Sequence, residues 1–336
     1  MKKTRFFLIG CGKIGSRHAV IMQSVGELVA VCDIVPERAD AIAATAAAKP
    51  YYQLADLLTA EDLSNGLAAI CTPNGLHAVQ SIACLKAGLH VLCEKPMAIS
   101  LADCYTMMDA ANAAGRKLFV VKQNRFNPPV QQLRELLNQK KLGKIYSVQV
   151  NCFWNRNAEY YDNSWHGTRA LDGGTLFTQF SHFIDILYWL LGDVASVVAR
   201  FFNFAHKGIM EFEDTGMVLL QFESGVNGIL HYTVNCHHKN MEGSFTIFGE
   251  KGTVKIGGQY LNRIEYQDIE GYTLPDLPGE VAPNDYGSYQ GSMSNHDKVY
   301  SNLLGFLSGR EPLYMSTTDA LKTVEIIEKI YSTRPA

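Results

Sequence analysis

No stretch of the sequence approaches the ~18 uninterrupted apolar residues that a membrane-crossing helix needs, and no membrane partner is expected. Neither sign of charge dominates: 30 Lys and Arg stand against 33 Asp and Glu, a formal net charge of -3. That balance excludes a polybasic surface built for nucleic acid. None of the eight cysteines stands in a C-x-x-C pair, which removes the thioredoxin and zinc-ribbon spacings. There is no internal repeat and no low-complexity segment. The basic start, Met1-Lys2-Lys3-Thr4-Arg5, precedes an apolar run over 6–9 that breaks at Gly10-Cys11-Gly12. That run is too short for the core of a signal peptide.

What remains is a globular composition, 47% hydrophobic and 19% charged, over 336 residues. This length is comfortable for two domains. Most cysteines fall in or just after apolar runs, where a thiol acts as a small buried hydrophobe. Reduced thiols imply a cytoplasmic setting.

The first third alternates short apolar strands with longer helical patterns. Strands are expected over 5–9, 28–32, 67–71, 90–93 and 118–121, and helices over 14–24, 36–48, 54–58, 75–87 and 101–114. Continuously apolar strands separated by helices imply a parallel sheet covered on both faces, a doubly wound α/β fold. The pattern changes near Lys122. A helix is expected over 131–139, a long alternating strand over 145–154, a loop over 155–172 and one strongly apolar helix over 176–191. Strands over 194–203, 214–222, 228–235, 243–249 and 252–256 follow, joined by short glycine-containing turns. They suggest a large, mostly antiparallel sheet with one rather apolar exposed face, a plausible oligomer interface. Helices return over 297–307 and 318–331. The expected division is a dinucleotide-binding domain over 1–122 and a second α/β domain over 123–336.

Gly10-Cys11-Gly12-Lys13-Ile14-Gly15 is a G-x-G-x-x-G between an expected strand and helix. The first glycine permits a tight turn, the second admits a pyrophosphate against the backbone, and the third allows close helix packing. Asp33 ends the next strand, where a carboxylate can accept hydrogen bonds from the adenosine ribose diol. Its charge repels a 2′-phosphate, so NAD is favoured over NADP. Arg38 is read as a solvated helix residue.

Thr72, Pro73, Asn74 and His77 follow the third strand, at the carboxyl end where such a sheet presents its ligand crevice. Asn74 can equally start the next helix as a simple cap. Glu94-Lys95-Pro96 ends another strand in the same layer and is expected to face the cofactor, with Lys95 able to help deprotonate a hydroxyl. A surface salt bridge is the plainer alternative. Gln179, His182 and Asp185 recur every third residue along the apolar helix. A histidine such as His182 can titrate near neutrality, which suits a general base, although a lone histidine on an apolar helix is more often structural. A metal at His182 and Asp185 lacks an obvious third ligand beyond His237-His238, and none is expected.

Together, Gly10 to Gly15, Asp33, Thr72-Pro73-Asn74, Glu94-Lys95-Pro96, Gly173-Gly174 and His182 resemble the Gfo/Idh/MocA oxidoreductases. A closer likeness, to the WlbA-type nucleotide-sugar 3-dehydrogenases, runs through Lys122-Gln123-Asn124-Arg125, Phe153-Trp154-Asn155-Arg156, Trp165-His166-Gly167-Thr168 and Asp172-Gly173-Gly174. The resemblance implies a Rossmann domain, a C-terminal domain whose open sheet forms a homodimer or homotetramer, and hydride transfer from a sugar carbon to NAD. The substrate it implies is a UDP-N-acetyl-hexuronic acid oxidised at C3′, a step in making O-antigen sugars. It makes Lys95 and His182 the catalytic candidates. Gly10, Gly12, Lys13, Ile14, Gly15, Asp33, Thr72, Pro73, Asn74, His77, Glu94, Lys95 and Arg125 would meet the cofactor. Lys95, Arg125, Arg156, Tyr160, Trp165, Thr168, Thr178 and His182 would meet the substrate.

Many members of the family carry Asp four residues before the histidine, and this chain carries Thr178, which cannot serve as a carboxylate base. Arg125, Asn155, Arg156 and Arg169 lie among Phe126, Trp154, Tyr160 and Trp165, donors and aromatics that suit an anionic sugar. Rival readings are an inositol or simple hexose dehydrogenase, a keto-sugar reductase, and a non-catalytic NAD-sensing regulator on the same fold.

Overall fold

The structure, a computed structural model, describes residues 3–277, 283–285 and 290–334. Met1 and Lys2 of the basic start lie outside it. The chain separates into two compact units, one of Met1–Val121 with His296–Val324, the other of Lys122–Asn295 with Glu325–Ala336.

The first unit runs β1 (Arg5–Ile9), α1 (Lys13–Val25), β2 (Glu27–Cys32), α2 (Pro36–Ala46), β3 (Lys49–Tyr51), α3 (Leu54–Ala60), β4 (Gly66–Ile70), α4 (His77–Lys86), β5 (His90–Cys93), α5 (Leu101–Ala113) and β6 (Leu118–Val120). Its six strands are all parallel, in the order β3-β2-β1-β4-β5-β6. β1 and β4 are the central pair, and Phe6, Phe7, Leu8 and the whole of Leu67 to Ile70 are fully buried or nearly so. Helices on both faces demand this, which is why these strands read as continuous apolar runs. The edge strand β3, Lys-Pro-Tyr, carries no apolar signal and escapes sequence reading. Proline suits an edge because it lacks a ladder donor.

The second unit begins with α6 (Pro128–Asn138), β7 (Ile145–Phe153) and the short α7 (Ala158–Tyr161) and α8 (Thr175–Thr178). α9 (Ser181–Leu191), β8 (Val194–Phe202), β9 (Thr215–Phe222), β10 (Asn227–Thr233), β11 (Glu242–Gly249), β12 (Gly252–Gly257) and β13 (Arg263–Ile269) follow. The seven strands are ordered β13-β12-β11-β7-β10-β9-β8. Every pair is antiparallel except β7 with β10. Burial alternates cleanly along β9, so one face lies on the core and the other outward. The chain is completed by β14 (Pro283–Asp285), β15 (Gln290–Met293), α10 (His296–Leu307) and α11 (Thr317–Tyr331).

One expectation is corrected. The apolar stretch 176–191 is not one helix but two, α8 and α9, broken at Gln179 and Phe180. Phe180 leaves the helical ψ (φ -118, ψ 8) and is fully buried against Trp154, Phe183 and Tyr232. Gln179, His182 and Asp185 keep a three-residue spacing that one continuous helix would also show, so the break cannot be read from the pattern. Seven cysteines are buried and Cys236 is half-buried, all as free thiols. Among the described residues no helix is long and apolar enough to cross a membrane.

Candidate functional site

The glycine turn between β1 and α1 is built as its spacing demands. Gly10 has φ +93, and a Cβ there would meet the Cys71 carbonyl oxygen at 2.6 Å. A Cβ on Gly15 would collide with the Gly10 carbonyl, so only glycine lets α1 start this close to the strand. Gly12 differs. A Cβ there meets nothing within 4 Å, so the bare backbone at the start of α1 faces open space. Neither a capping side chain nor an acidic residue occupies this first turn, leaving amides and the positive helix end available to an anion. Lys13 is exposed beside it and Ile14 is half-buried.

Asp33 closes the same end of the sheet just past β2. Its Oδ2 accepts from the Cys11 amide at 2.7 Å and its Oδ1 from the Val35 amide at 2.9 Å. Two backbone donors lock the carboxylate while each oxygen keeps a lone pair for a diol. Burial, with Asp33 adding to it, pushes the Cys11 thiol up to about 12, so this sulfur stays neutral.

After β4, Thr72 Oγ1 bonds Gln80 at 2.5 Å, Pro73 leads into a 3-10 turn, and Asn74 is buried. His77 departs from expectation. Its Nδ1 lies 2.7 Å from the Pro96 carbonyl and its Nε2 2.9 Å from the Thr72 carbonyl, and it is buried. It staples the loops after β4 and β5 together. Burial holds its pKa below the usual histidine range.

Glu94 is corrected in the same way. It points inward and is 5% exposed. Its Oε1 lies 2.9 Å from His18 Nε2 and 3.3 Å from His296 Nε2, while its Oε2 accepts from the Lys95 amide at 3.0 Å. His18 Nδ1 continues to the Tyr300 hydroxyl at 2.7 Å. Burial raises the Glu94 pKa, but the two histidines outweigh it and hold the carboxyl well below the usual range. Lys95 itself is half-buried.

In the second unit, Arg125 is fully buried and grips Asp185 with Nε on Oδ2 at 2.8 Å and Nη2 on Oδ1 at 2.7 Å. Lys122 Nζ adds a contact to Oδ1 at 2.7 Å. The Arg125 fork serves a carboxylate on α9. Burial opposes the Asp185 charge, yet Arg125 and Lys122 bring its pKa down to about 2. Asp185 is therefore committed to two cations, not to the metal pairing weighed for it with His182. His182 sits one turn earlier on α9, 8% exposed. Gln179, outside α9, donates to the Tyr160 hydroxyl at 2.9 Å.

Thr178 ends α8 half-buried, with its hydroxyl donating to an oxygen of Asp172. Asp172 also accepts from the Gly167 amide at 2.8 Å, and burial pushes its pKa up to about 7. A carboxyl thus stands beside the threonine that replaces the family's usual aspartate, six residues away in sequence.

The loop before α8 forms an aromatic wall. Trp165 stacks on His166 with centroids 3.9 Å apart, and Tyr160 lies 4.2 Å from the same imidazole. The Arg156 guanidinium covers Trp154 and Tyr160 at 5.1 and 5.3 Å, and its Nη1 donates to the Asn155 carbonyl at 2.6 Å. Thr168 is tied back to the Trp165 carbonyl at 2.8 Å.

Sequence reading missed His18, His296 and Tyr300 around Glu94, Lys122 beside Arg125, and Asp172 beside Thr178. Glu213, in the Glu213-Asp214-Thr215-Gly216 stretch that adds to the WlbA-type likeness, accepts from Tyr232 and Tyr331 at 2.9 and 2.8 Å and pairs with Arg334, and Asp214 beside it accepts from the Phe204 and Ala205 amides. His18 alone carried a local signal, three residues past the glycine motif. The pairings to Glu94 and Asp185 join segments far apart in the chain, whereas Asp172 and Thr178 are six residues apart. A dinucleotide fits the first unit on three grounds: the open backbone at Gly12, the uncapped helix start and the two-point hold on Asp33.

Comparison with known proteins agrees. The family profile described as "Oxidoreductase family, NAD-binding Rossmann fold" matches residues 4–122, and the "GFO/IDH/MocA C-terminal domain" matches 130–255. The WlbA dehydrogenase from Bordetella pertussis, solved in complex with NADH and UDP-GlcNAcA, is 36% identical with TM-score 0.86, covering 99% of this chain and 96% of that one. Its counterpart from Chromobacterium violaceum, with the same ligands, is 37% identical with TM-score 0.88, covering 99% and 94%. Among curated relatives, the inositol 2-dehydrogenase of Salmonella typhimurium is 27% identical, covering 74% of this chain and 72% of its own length. The fold, the glycine turn with Asp33 and these matches establish that the chain belongs to the Gfo/Idh/MocA family and is an NAD-binding oxidoreductase.

Proposed function

We propose that this protein oxidises the C3′ hydroxyl of a UDP-N-acetyl-hexuronic acid. The observation that carries the nucleotide-sugar reading is the wall of Trp165, His166 and Tyr160 beside Arg156. A flat π surface next to a fixed guanidinium suits a uracil ring and a diphosphate. A free polyol offers neither a π face nor charge to match it. The likeness to the WlbA dehydrogenases, extending over 99% of the chain, supports the same substrate class.

In this reading Gly10, Gly12, Lys13, Ile14 and Gly15 hold the pyrophosphate, Asp33 the adenosine ribose, and Thr72, Pro73 and Asn74 the nicotinamide end. NAD+, when bound, supplies the hydride acceptor. The chain's own residues handle the proton. A hydroxyl whose carbon gives up hydride must lose its proton, and His182, aided by Lys95, removes it. Thr178 binds substrate, since its hydroxyl is no base. Arg156, Tyr160, Trp165 and Thr168 complete the sugar-nucleotide contacts. Residues 1–122, with the C-terminal stretch His296–Val324 packed back on them, act as the cofactor domain and the rest of 123–336 as the substrate and assembly domain, at work in the cytoplasm.

The outward face of the seven-stranded sheet supports assembly. Val198, Leu219 and Ile229 lie side by side across β8, β9 and β10 and are 61, 55 and 48% exposed. A row this apolar is covered by a second copy of the chain in a homodimer or homotetramer.

Following NADH absorbance with a panel of UDP-sugars and free polyols tests the reading. Formation of NADH with a UDP-N-acetyl-hexuronic acid alone is expected. Oxidation of inositol instead would favour the rival suggested by the curated inositol dehydrogenases. Lys95→Met should leave NADH binding intact and abolish turnover.

A further inference from the structure

Four buried side chains in the first unit have no place in the mechanism above. His18 comes from α1, Glu94 from just past β5, and His296 and Tyr300 from α10. Each is 5% exposed or less. They converge on one carboxylate. His18 Nε2 stands 2.9 Å and His296 Nε2 3.3 Å from Glu94 Oε1, the two rings pack edge to face at 5.3 Å, and Tyr300 braces the far side of His18 at 2.7 Å. The second carboxylate oxygen accepts the backbone N–H of Lys95 at 3.0 Å.

Stability does not account for this arrangement. Desolvating a carboxylate and its partners costs about as much as their attraction returns, and apolar side chains of the same volume usually serve a core at least as well. His296 adds an ion-pair contact to Glu94, with neither ring nitrogen completing a hydrogen bond among the described residues. The hydrogen-bonded members do something packing cannot: they hold one group at one angle. Here that group is the peptide carrying Lys95. Lysine is a long, flexible side chain, so its ammonium is aimed only if its backbone is fixed.

We infer that His18, His296 and Tyr300 are positioning residues that act through Glu94 to hold Lys95 in its working orientation. The inference rests on the assignment of Lys95 to proton handling, but not on which sugar is the substrate.

The test uses the full-length protein and whichever sugar the wild type oxidises. Glutamine places an amide N–H where imidazole Nε2 stood, while leucine places nothing. His18→Gln and His296→Gln should keep kcat within about threefold of wild type. His18→Leu and His296→Leu should lose about 30- to 100-fold in kcat, the order that a misplacement near 1 Å costs. In all four the NADH dissociation constant and the sugar KM should stay within about threefold, because positioning acts on the chemical step. A merely structural role would instead lower Tm and the fraction of protein that binds NADH, with kcat per binding site unchanged.

Leucine variants that bind NADH fully and turn over at the wild-type rate would overturn the inference. Should they fail to fold, Tyr300→Phe decides. It is isosteric, removes only the brace on His18, and should cost about tenfold in kcat on the same logic; a wild-type rate would count against the clamp. Lys95→Met separates the two layers of the argument. If that variant remains active the proton-handling assignment falls, whereas a dead Lys95→Met with active leucine variants removes the clamp alone.

Discussion

Arg125 and Asp185 meet as a two-pronged fork, Nε on Oδ2 and Nη2 on Oδ1, with both side chains buried. The pair ties the turn after β6 to α9, one helical turn beyond His182. Asp185→Asn would leave two buried cations, Arg125 and Lys122, sharing a neutral amide. Removing one partner of a buried pair costs about 3–5 kcal/mol. A fall in Tm together with a reduced kcat is expected from thermal melts and NADH assays; an unchanged Tm would show that the fork bears no strain of folding.

Two glycines of the motif, Gly12 and Gly15, should behave oppositely. A Cβ at Gly15 meets the Gly10 carbonyl, so Gly15→Ala should lower Tm and deplete folded protein. A Cβ at Gly12 meets nothing, so Gly12→Ala should melt like wild type while losing NADH affinity about tenfold or more, because the methyl stands where a pyrophosphate approaches. Titration of NADH fluorescence alongside melting separates them.

Asp33 should set cofactor choice. Asp33→Ala removes both the acceptor for the ribose diol and the charge that repels a 2′-phosphate. NADH affinity should drop about tenfold, roughly the worth of a charged hydrogen bond. Discrimination against NADPH should shrink. Equal NADH binding by the variant would remove Asp33 from the site.

Asp172 carries a pH signature. Its folded pKa is raised to about 7, chiefly by burial, against 3.8 as the ordinary value. The folded state therefore holds a proton that the unfolded chain has already lost. Between pH ~4 and ~7 stability falls as pH rises, by linkage. Asp172→Asn, which mimics the protonated form, should flatten that decline in Tm. The opposite limb belongs to Asp185 and Asp214, both held down to about 2, whose stabilisation is present above pH ~4 and is lost as pH falls toward 2.

Much of the first unit was legible from residues alone because its signals are local. Continuous apolar strands, intervening helices, a G-x-G-x-x-G and an acidic residue at the end of the next strand each depend on a few neighbours. The breaks and turnings were not legible for the converse reason. Nothing near Phe180 in sequence shows that its ring is claimed by Trp154 and Tyr232, and nothing near Glu94 shows that it is claimed by helices on either side of it in the chain. His77 and Arg125 carry residue types that suit ligands equally well as internal partners.

By itself, then, the order of residues determined the two kinds of sheet and the cofactor-binding turn, since backbone preference and hydrophobic period act over short spans. Only the tertiary structure decided which polar side chains face outward and which hold one another, as with Asp185 between Lys122 and Arg125 and Glu94 between His18 and His296. The physical reason is that a buried charge takes whichever donors the packed chain brings within about 3 Å, and those donors come from positions that no local pattern connects.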